Sequence, residues 1–255
     1  MTRRFAPFAA VLLAGLSLAV AAEPPADQPP RSGSFYATPG IRAMQADDFA
    51  NPGMLWVAQG AAFWSARAGA AGKACADCHG ALSGMAGIAF PRRDPADPQR
   101  LVNLDLQIEQ CRIRRMDAPA FGLESKELVA LAAAIRHQAR GRPAQVVEDR
   151  DAIARGEREF RRKRGQFDLA CAQCHAERPG KQLRDETLSQ GQSNGFPAYR
   201  VRWQEVGSLH RRFQACNNAV GAEPSAIGSQ DYIALEWFLA WRGRALPVET
   251  PAVRQ

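Results

Sequence analysis

Cys75-Ala76-Asp77-Cys78-His79 and Cys171-Ala172-Gln173-Cys174-His175 each set two thiols three positions apart, with an imidazole directly after the second. This CxxCH spacing lets two cysteines add across the vinyl groups of haem while the adjacent histidine reaches the iron. A thioredoxin-type CxxC would need a βαβ context, which is not seen here. A zinc site built from two CxxC pairs usually has them ~15–20 residues apart, whereas 93 positions separate Cys78 from Cys171. The two motifs therefore imply two covalently bound haem c groups, attached through Cys75, Cys78, Cys171 and Cys174, with His79 and His175 as the proximal iron ligands.

The similarity extends outward from the motifs. Gly60 and Trp64 recur as Gly156 and Phe160 at the same offset of 96 residues as the motifs themselves. The stretch before each first cysteine reads as an amphipathic helix, with Trp56, Phe63 and Trp64 in one copy and Ile153, Phe160 and Phe167 in the other. Downstream, Ser125, Leu128, Leu131 and Ile135 match Ser229, Tyr232, Leu235 and Leu239 at an offset of 104. Both serines precede an acid by two residues, as at a helix N-terminus. Each half thus reads helix, CxxCH, long loop, closing helix. The predicted fold is all-α, with two class I cytochrome c-like domains in tandem over 35–147 and 148–255. Gly141-Arg142-Pro143 ends the first closing helix, and the boundary falls near Val146 to Asp149. Trp56, Trp64, Trp237 and Trp241 read as packing residues rather than a dedicated electron path.

Arg3 and Arg4, an apolar run from Phe5 to Val20, and small residues to Ala22 have the layout of a secretory signal cleaved near Ala21 or Ala22. Residues 1–22 are read as that signal and the proline-rich 23–34 as a flexible leader. No later stretch approaches the ~20 apolar residues of a membrane span. Cleavage would lower the formal charge from +7 to +5, since two arginines and no acid leave. The basic balance permits anionic substrates or partners, while no zinc-finger spacing or aromatic-interleaved basic strip points to nucleic acid. An exported chain with two CxxCH motifs is expected in the periplasm.

Electron-carrying cytochromes c commonly place Met or a second His on the far side of the iron. The last methionine of this chain is Met116, so the second half offers only His210, Cys216 and Lys181, and the first half offers Cys111, Met116 and His137. Four of the six cysteines belong to CxxCH, which leaves Cys111 and Cys216. In an oxidising compartment these two could form a disulfide. Their placement, 36 residues after Cys75 and 45 after Cys171, assigns one to each haem and argues for parallel thiolate ligation. Around Cys216 stand Arg200, Arg202, Arg211, Arg212, Arg242 and Arg244. An arginine beside a reactive sulfur suits an anionic sulfur compound, because guanidinium binds oxyanions through directed, charge-assisted hydrogen bonds. Arg212, four residues before Cys216, shares its side if the segment is helical, and Arg211 does not.

The chain resembles the SoxA family, the dihaem subunits of the SoxAX cytochrome. The resemblance rests on Arg42-Ala43-Met44-Gln45, on Asp47 to Trp56, on both CxxCH motifs, on Cys111, and on the Arg212-x-x-x-Cys216 spacing. It implies an L-cysteine S-thiosulfotransferase of sulfur oxidation, with His79 and Cys111 on the first iron and His175 and Cys216 on the second. It further implies Cys216 as the catalytic sulfur, carried as a persulfide, and Arg212 as the substrate-binding residue. Implied partners are a monohaem cytochrome c subunit, SoxX, in a heterodimer; the carrier protein SoxYZ as sulfur acceptor from thiosulfate; and a c-type cytochrome as electron acceptor. The residues alone also allow a dihaem electron carrier without chemistry of its own, or a thiosulfate dehydrogenase forming tetrathionate.

Overall fold

The computed structural model describes residues 29–255; the signal read over 1–22 and the start of the leader lie outside the described residues. In chain order the helices are α1 (Pro39–Ala46), α2 (Met54–Ser65), α3 (Cys75–His79), α4 (Leu104–Met116), α5 (Lys126–His137), α6 (Arg150–Arg161), α7 (Cys171–His175), α8 (Leu209–Ala219) and α9 (Gln230–Arg242). Short strands fill the connections: β1 (Arg92–Asp94), β2 (Asp97–Val102), β3 (Gln182–Leu183), β4 (Glu186–Thr187), β5 (Ala198–Arg200), β6 (Glu205–Gly207) and β7 (Ala252–Arg254). The framework is helical as expected, but the all-α reading is corrected by these strands. Most are two or three residues long, too short to leave an alternating pattern in the sequence.

Two helix pairs hold the framework together, α2 against α5 and α6 against α9. Both cross on a glycine. A methyl group at Gly60 would lie 2.0 Å from the Ala130 carbonyl oxygen, and one at Gly156 would lie 2.0 Å from that of Ala234. The bare glycine lets the two backbones touch, and side chains on either side of the crossing are buried. In α5, Leu128 through Ile135 are all buried. In α9, Tyr232 and Trp237 are fully enclosed, and the Trp237 indole N–H donates to the Val147 carbonyl at 2.9 Å. Ser125 and Ser229 cap these helices, accepting from the N–H groups of Leu128 and Tyr232, as their sequence positions predict.

The turns before the motifs match as well. Ala68 pairs with Lys73 and Arg164 with Leu169 in isolated bridges. Each five-residue motif helix is capped by its own third residue: the Asp77 carboxylate accepts from the Ala74 N–H at 2.9 Å, and the Gln173 amide oxygen from Ala170 at 2.8 Å. Phe167 departs from its expected place. The helix stops at Arg161, Gly165 turns the chain at φ +72°, and Phe167 is exposed rather than part of the apolar face.

Cys111 and Cys216 lie on helices α4 and α8, where the sequence reading had long loop. Asn103 and Ser208 start these helices, accepting from Leu106 and Arg211. A three-stranded sheet in the order β6-β5-β7 closes the molecule, with β5 antiparallel to β6 and parallel to β7. Val253 of β7 packs with Ile41 of α1 and Val129 of α5, so the last strand contacts the first half. The described end of the leader is also anchored. Ser32 caps a short 3-10 helix at Gly33–Tyr36, the Arg31 N–H donates to Gln190, and the Ser34 hydroxyl donates to Glu249. Side-chain partners far along the chain, invisible to a composition reading, fix what looked like linker. Among the described residues no helix is long and apolar enough to cross a membrane.

Candidate functional site

The second motif builds the more complete site. His175 leaves α7 with its Nδ1–H donating to the Ser189 carbonyl at 2.8 Å. That bond fixes the tautomer and leaves Nε2 as the free lone pair. Gly191, at φ +70°, lies under the ring, where a methyl group would sit 2.9 Å from Cγ. Arg242 ties this loop down by donating to the carbonyls of Gln190 and His175, at 2.6 and 3.3 Å. Opposite stands Cys216, whose thiol is in hydrogen-bonding reach of the imidazole. Burial alone would push the Cys216 thiol up; the Arg212 guanidinium, the His175 hydrogen bond and charge, and Arg200 outweigh it and bring it down to about 7. Burial, reinforced by Cys216, pushes Cys171 up to about 11 and raises Cys174 as well. These electrostatic couplings put all four groups of the site in one neighbourhood.

The first site has the same parts in a more open setting. Cys78 and His79 are exposed, and the His79 ring lies 5.7 Å from the Trp64 ring. The Trp64 indole N–H donates to the Gly80 carbonyl at 3.0 Å, holding the end of the motif helix. Cys111 faces this motif from α4: burial and then Cys111 raise the Cys75 thiol. Gln107 donates to the Cys111 sulfur at 3.4 Å. All six cysteines are free, so the disulfide alternative between Cys111 and Cys216 is not formed.

The other sequence candidates for iron have different partners. His137 contacts the Thr250 carbonyl through Nδ1 at 3.0 Å. Met116 is buried at the end of α4, and Lys181 is exposed beside β3. His210 is 2% exposed; its Nδ1 accepts from the Gly228 N–H at 3.0 Å, and its Nε2 lies 3.1 Å from the Glu236 carboxylate. It lines a cavity of about 50 Å³ between the halves, together with Asp105, Arg136 and Glu236.

Helix α8 decides where the arginines go. Arg212 lies one turn before Cys216 and donates to the Glu186 carboxylate at 3.3 Å. Arg211 turns away to Glu205, at 3.0 Å, and stacks over Trp203. Arg200, on β5, donates to the other Glu186 oxygen at 2.7 Å. Arg202 is paired with Asp185. Glu186, Ser189 and Gly191 were missed in the sequence. Glu186 reaches Arg200 and Arg212 from the β3–β4 hairpin, Ser189 and Gly191 reach His175 from the loop that follows, and none has a spacing signature.

Paired thiols, a free imidazole lone pair held by a backbone carbonyl, and a facing sulfur are the donor set of a c-type haem, and they fit that group. The molecule is a c-type cytochrome. A family model described as SoxA/TsdA, cytochrome c domain, matches residues 59–144. Proteins named L-cysteine S-thiosulfotransferase subunit SoxA are 42% identical in Pseudaminobacter salicylatoxidans and 38% in Rhodovulum sulfidophilum, each over 88% of this chain and 80% of the relative. The crystal structure of SoxXA from P. pantotrophus superposes with a TM-score of 0.84 at 33% identity, covering 88% of this chain and 86% of that one. The chain belongs to the SoxA family.

Proposed function

We propose that this chain is the sulfur-transferring subunit of an L-cysteine S-thiosulfotransferase, with Cys216 as the reacting sulfur and Arg212 as a substrate-binding residue. The observation that carries this is the placement of Arg212 one helical turn from a half-buried cysteine whose thiol faces His175. The guanidinium orients the sulfonate end of thiosulfate, and its charge helps hold the cysteine as the nucleophilic thiolate. Joining thiosulfate to a carrier thiol, RSH + S₂O₃²⁻ → RSSSO₃⁻ + H⁺ + 2e⁻, releases two electrons. Haem, when bound, supplies a one-electron acceptor. Arg212 keeps the anion in place while thiol exchange passes it from Cys216 to the acceptor cysteine.

Two haem c groups complete this reading, one held by Cys75, Cys78, His79 and Cys111 and one by Cys171, Cys174, His175 and Cys216. The matched residues on α3 with α4, and on α7 with α8, support the assignment. Residues 35–147 and 148–255 form the two haem domains, the second carrying the active site. A SoxX-type monohaem cytochrome is the partner, a SoxYZ-type carrier accepts the sulfur, and a c-type cytochrome takes the electrons. The export pattern of residues 1–22 supports a periplasmic location for the mature chain.

The test is Cys216→Ala in the haem-loaded protein. Thiosulfate transfer to a carrier thiol should be lost, a pyridine haemochrome assay should still count two haems, and one thiolate-type low-spin EPR signal should disappear. Full transfer by the variant would remove Cys216 from the role.

A further inference from the structure

Arg200 stands out among the basic residues around Cys216. It is 4% exposed, yet its Nε has no hydrogen-bond partner. A buried guanidinium N–H without an acceptor is rare, because desolvation without a replacement bond is unfavourable. The other end of the fork is used: one Nη donates to Glu186 at 2.7 Å, and the group lies over the Trp203 ring at 5.2 Å. Glu186 spends its second oxygen on Arg212, at 3.3 Å, and also has Arg202 at 3.6 Å. One carboxylate therefore bridges two guanidiniums that both act electrostatically on Cys216. Arg200, Arg212 and Glu186 together carry one net positive charge beside the sulfur.

On the reading that Cys216 reacts with thiosulfate, we infer that Arg200 is a second oxyanion-binding residue for the substrate sulfonate, and that Glu186 is an internal carboxylate competing for the same two guanidiniums. A carboxylate offers two oxygens and a sulfonate three. Two guanidiniums that share Glu186 and both act on the Cys216 sulfur can together hold a tetrahedral oxyanion beside it. Burial and the neighbouring Arg212 lower the proton affinity of Arg200 to about 10, which leaves it charged at neutral pH. Its strand is held on both sides, by β6 and β7, so the guanidinium is presented from a fixed backbone.

The experiment is equilibrium dialysis of the haem-loaded full-length protein against sulfur-labelled thiosulfate, with KM and kcat for transfer measured alongside. Arg200→Gln should weaken thiosulfate binding and raise KM by roughly tenfold or more, with a smaller change in kcat. Arg200→Lys should recover part of the loss. Glu186→Gln should tighten binding and lower KM, since it removes the competitor while leaving an amide of the same shape. A merely structural Glu186 would act the other way, because losing its charge would loosen both arginines. Unchanged binding in Arg200→Gln, or weakened binding in Glu186→Gln, overturns the inference while wild-type transfer leaves the function intact. If Arg200→Gln does not fold, as judged by its Soret band and Tm, then Arg200→Lys and Glu186→Gln decide. A wild-type protein that neither binds nor transfers thiosulfate overturns the function, and this inference with it.

Discussion

Asp105 sits in the cavity between the halves, where a carboxylate meets more negative charge than positive. Burial, then Glu236, pushes Asp105 up to about 7; Glu124 and Glu109 add to the rise and His210 opposes it. Arg136 enters the same pocket from α5, and burial holds its own proton affinity down. A carboxyl with a raised value binds a proton in the folded chain that the unfolded chain, at 3.8, has already released. Its contribution to stability is therefore full below about pH 4 and is lost as pH rises toward 7. Asp105→Asn cannot ionise, so its Tm relative to wild type should rise between pH 5 and pH 8 in parallel melting curves. A difference constant across that range would give Asp105 an ordinary titration. Nothing in the sequence around Asp105 announces this environment, because its neighbours Glu236 and His210 arrive from more than a hundred residues away. CxxCH is legible for the opposite reason: covalent attachment dictates a local spacing. Glu186 belongs with Asp105, since a two-residue hairpin brings it to Arg200 and Arg212.

At the scale of elements, the glycine crossings explain why the repeat could be read at all. Gly60 and Gly156 share an offset with the motifs because each must sit where its helix touches the backbone of the closing helix. A methyl group at Gly156 would also lie 2.7 Å from the Phe238 Cβ. Alanine in a helix is intrinsically better than glycine by about 1 kcal/mol. Overpacking a closed contact costs about 1–3 kcal/mol and sometimes more, and here the methyl would meet a carbonyl oxygen far inside contact distance. The clash should win. Gly156→Ala is expected to lower Tm by several degrees in a thermal melt, and Gly60→Ala to do the same. An unchanged or raised Tm would mean that the helix pairs slide apart at no cost. Helices α4 and α8 were missed because their sequences are rich in charged and amide residues; Leu104–Met116 has no long apolar stripe, and what holds it is capping by Asn103 and contact with α5. Reading those stretches as loop assigns Cys111 and Cys216 to the haems by spacing alone, without the helix that sets Arg212 one turn from Cys216.

For the whole molecule, β7 links parts that the repeat alone would leave separate. Its backbone pairs with β5, the strand that carries Arg200, and the Val201 N–H donates to the Arg254 carbonyl at 2.8 Å. Gln45 of α1 accepts from the Val253 N–H at 3.1 Å, and the Val253 side chain is fully buried against Ile41, Val129 and Tyr199. The strand thus touches the first helix, the first closing helix and the strand that carries Arg200 at once. A carboxylate at position 253 would lose its hydration with no cation supplied, and would forfeit about 1.5–3 kcal/mol of apolar burial as well. Val253→Asp should therefore lower Tm markedly. If β7 also fixes the strand that presents Arg200, the same variant should raise KM for thiosulfate in any fraction that still folds and carries haem. Val253→Ile, which keeps the apolar contact, should leave KM unchanged. A destabilised Val253→Asp protein with wild-type KM would separate the two roles, leaving β7 as a clasp for the halves and the position of Arg200 to be set by β6 and Glu186.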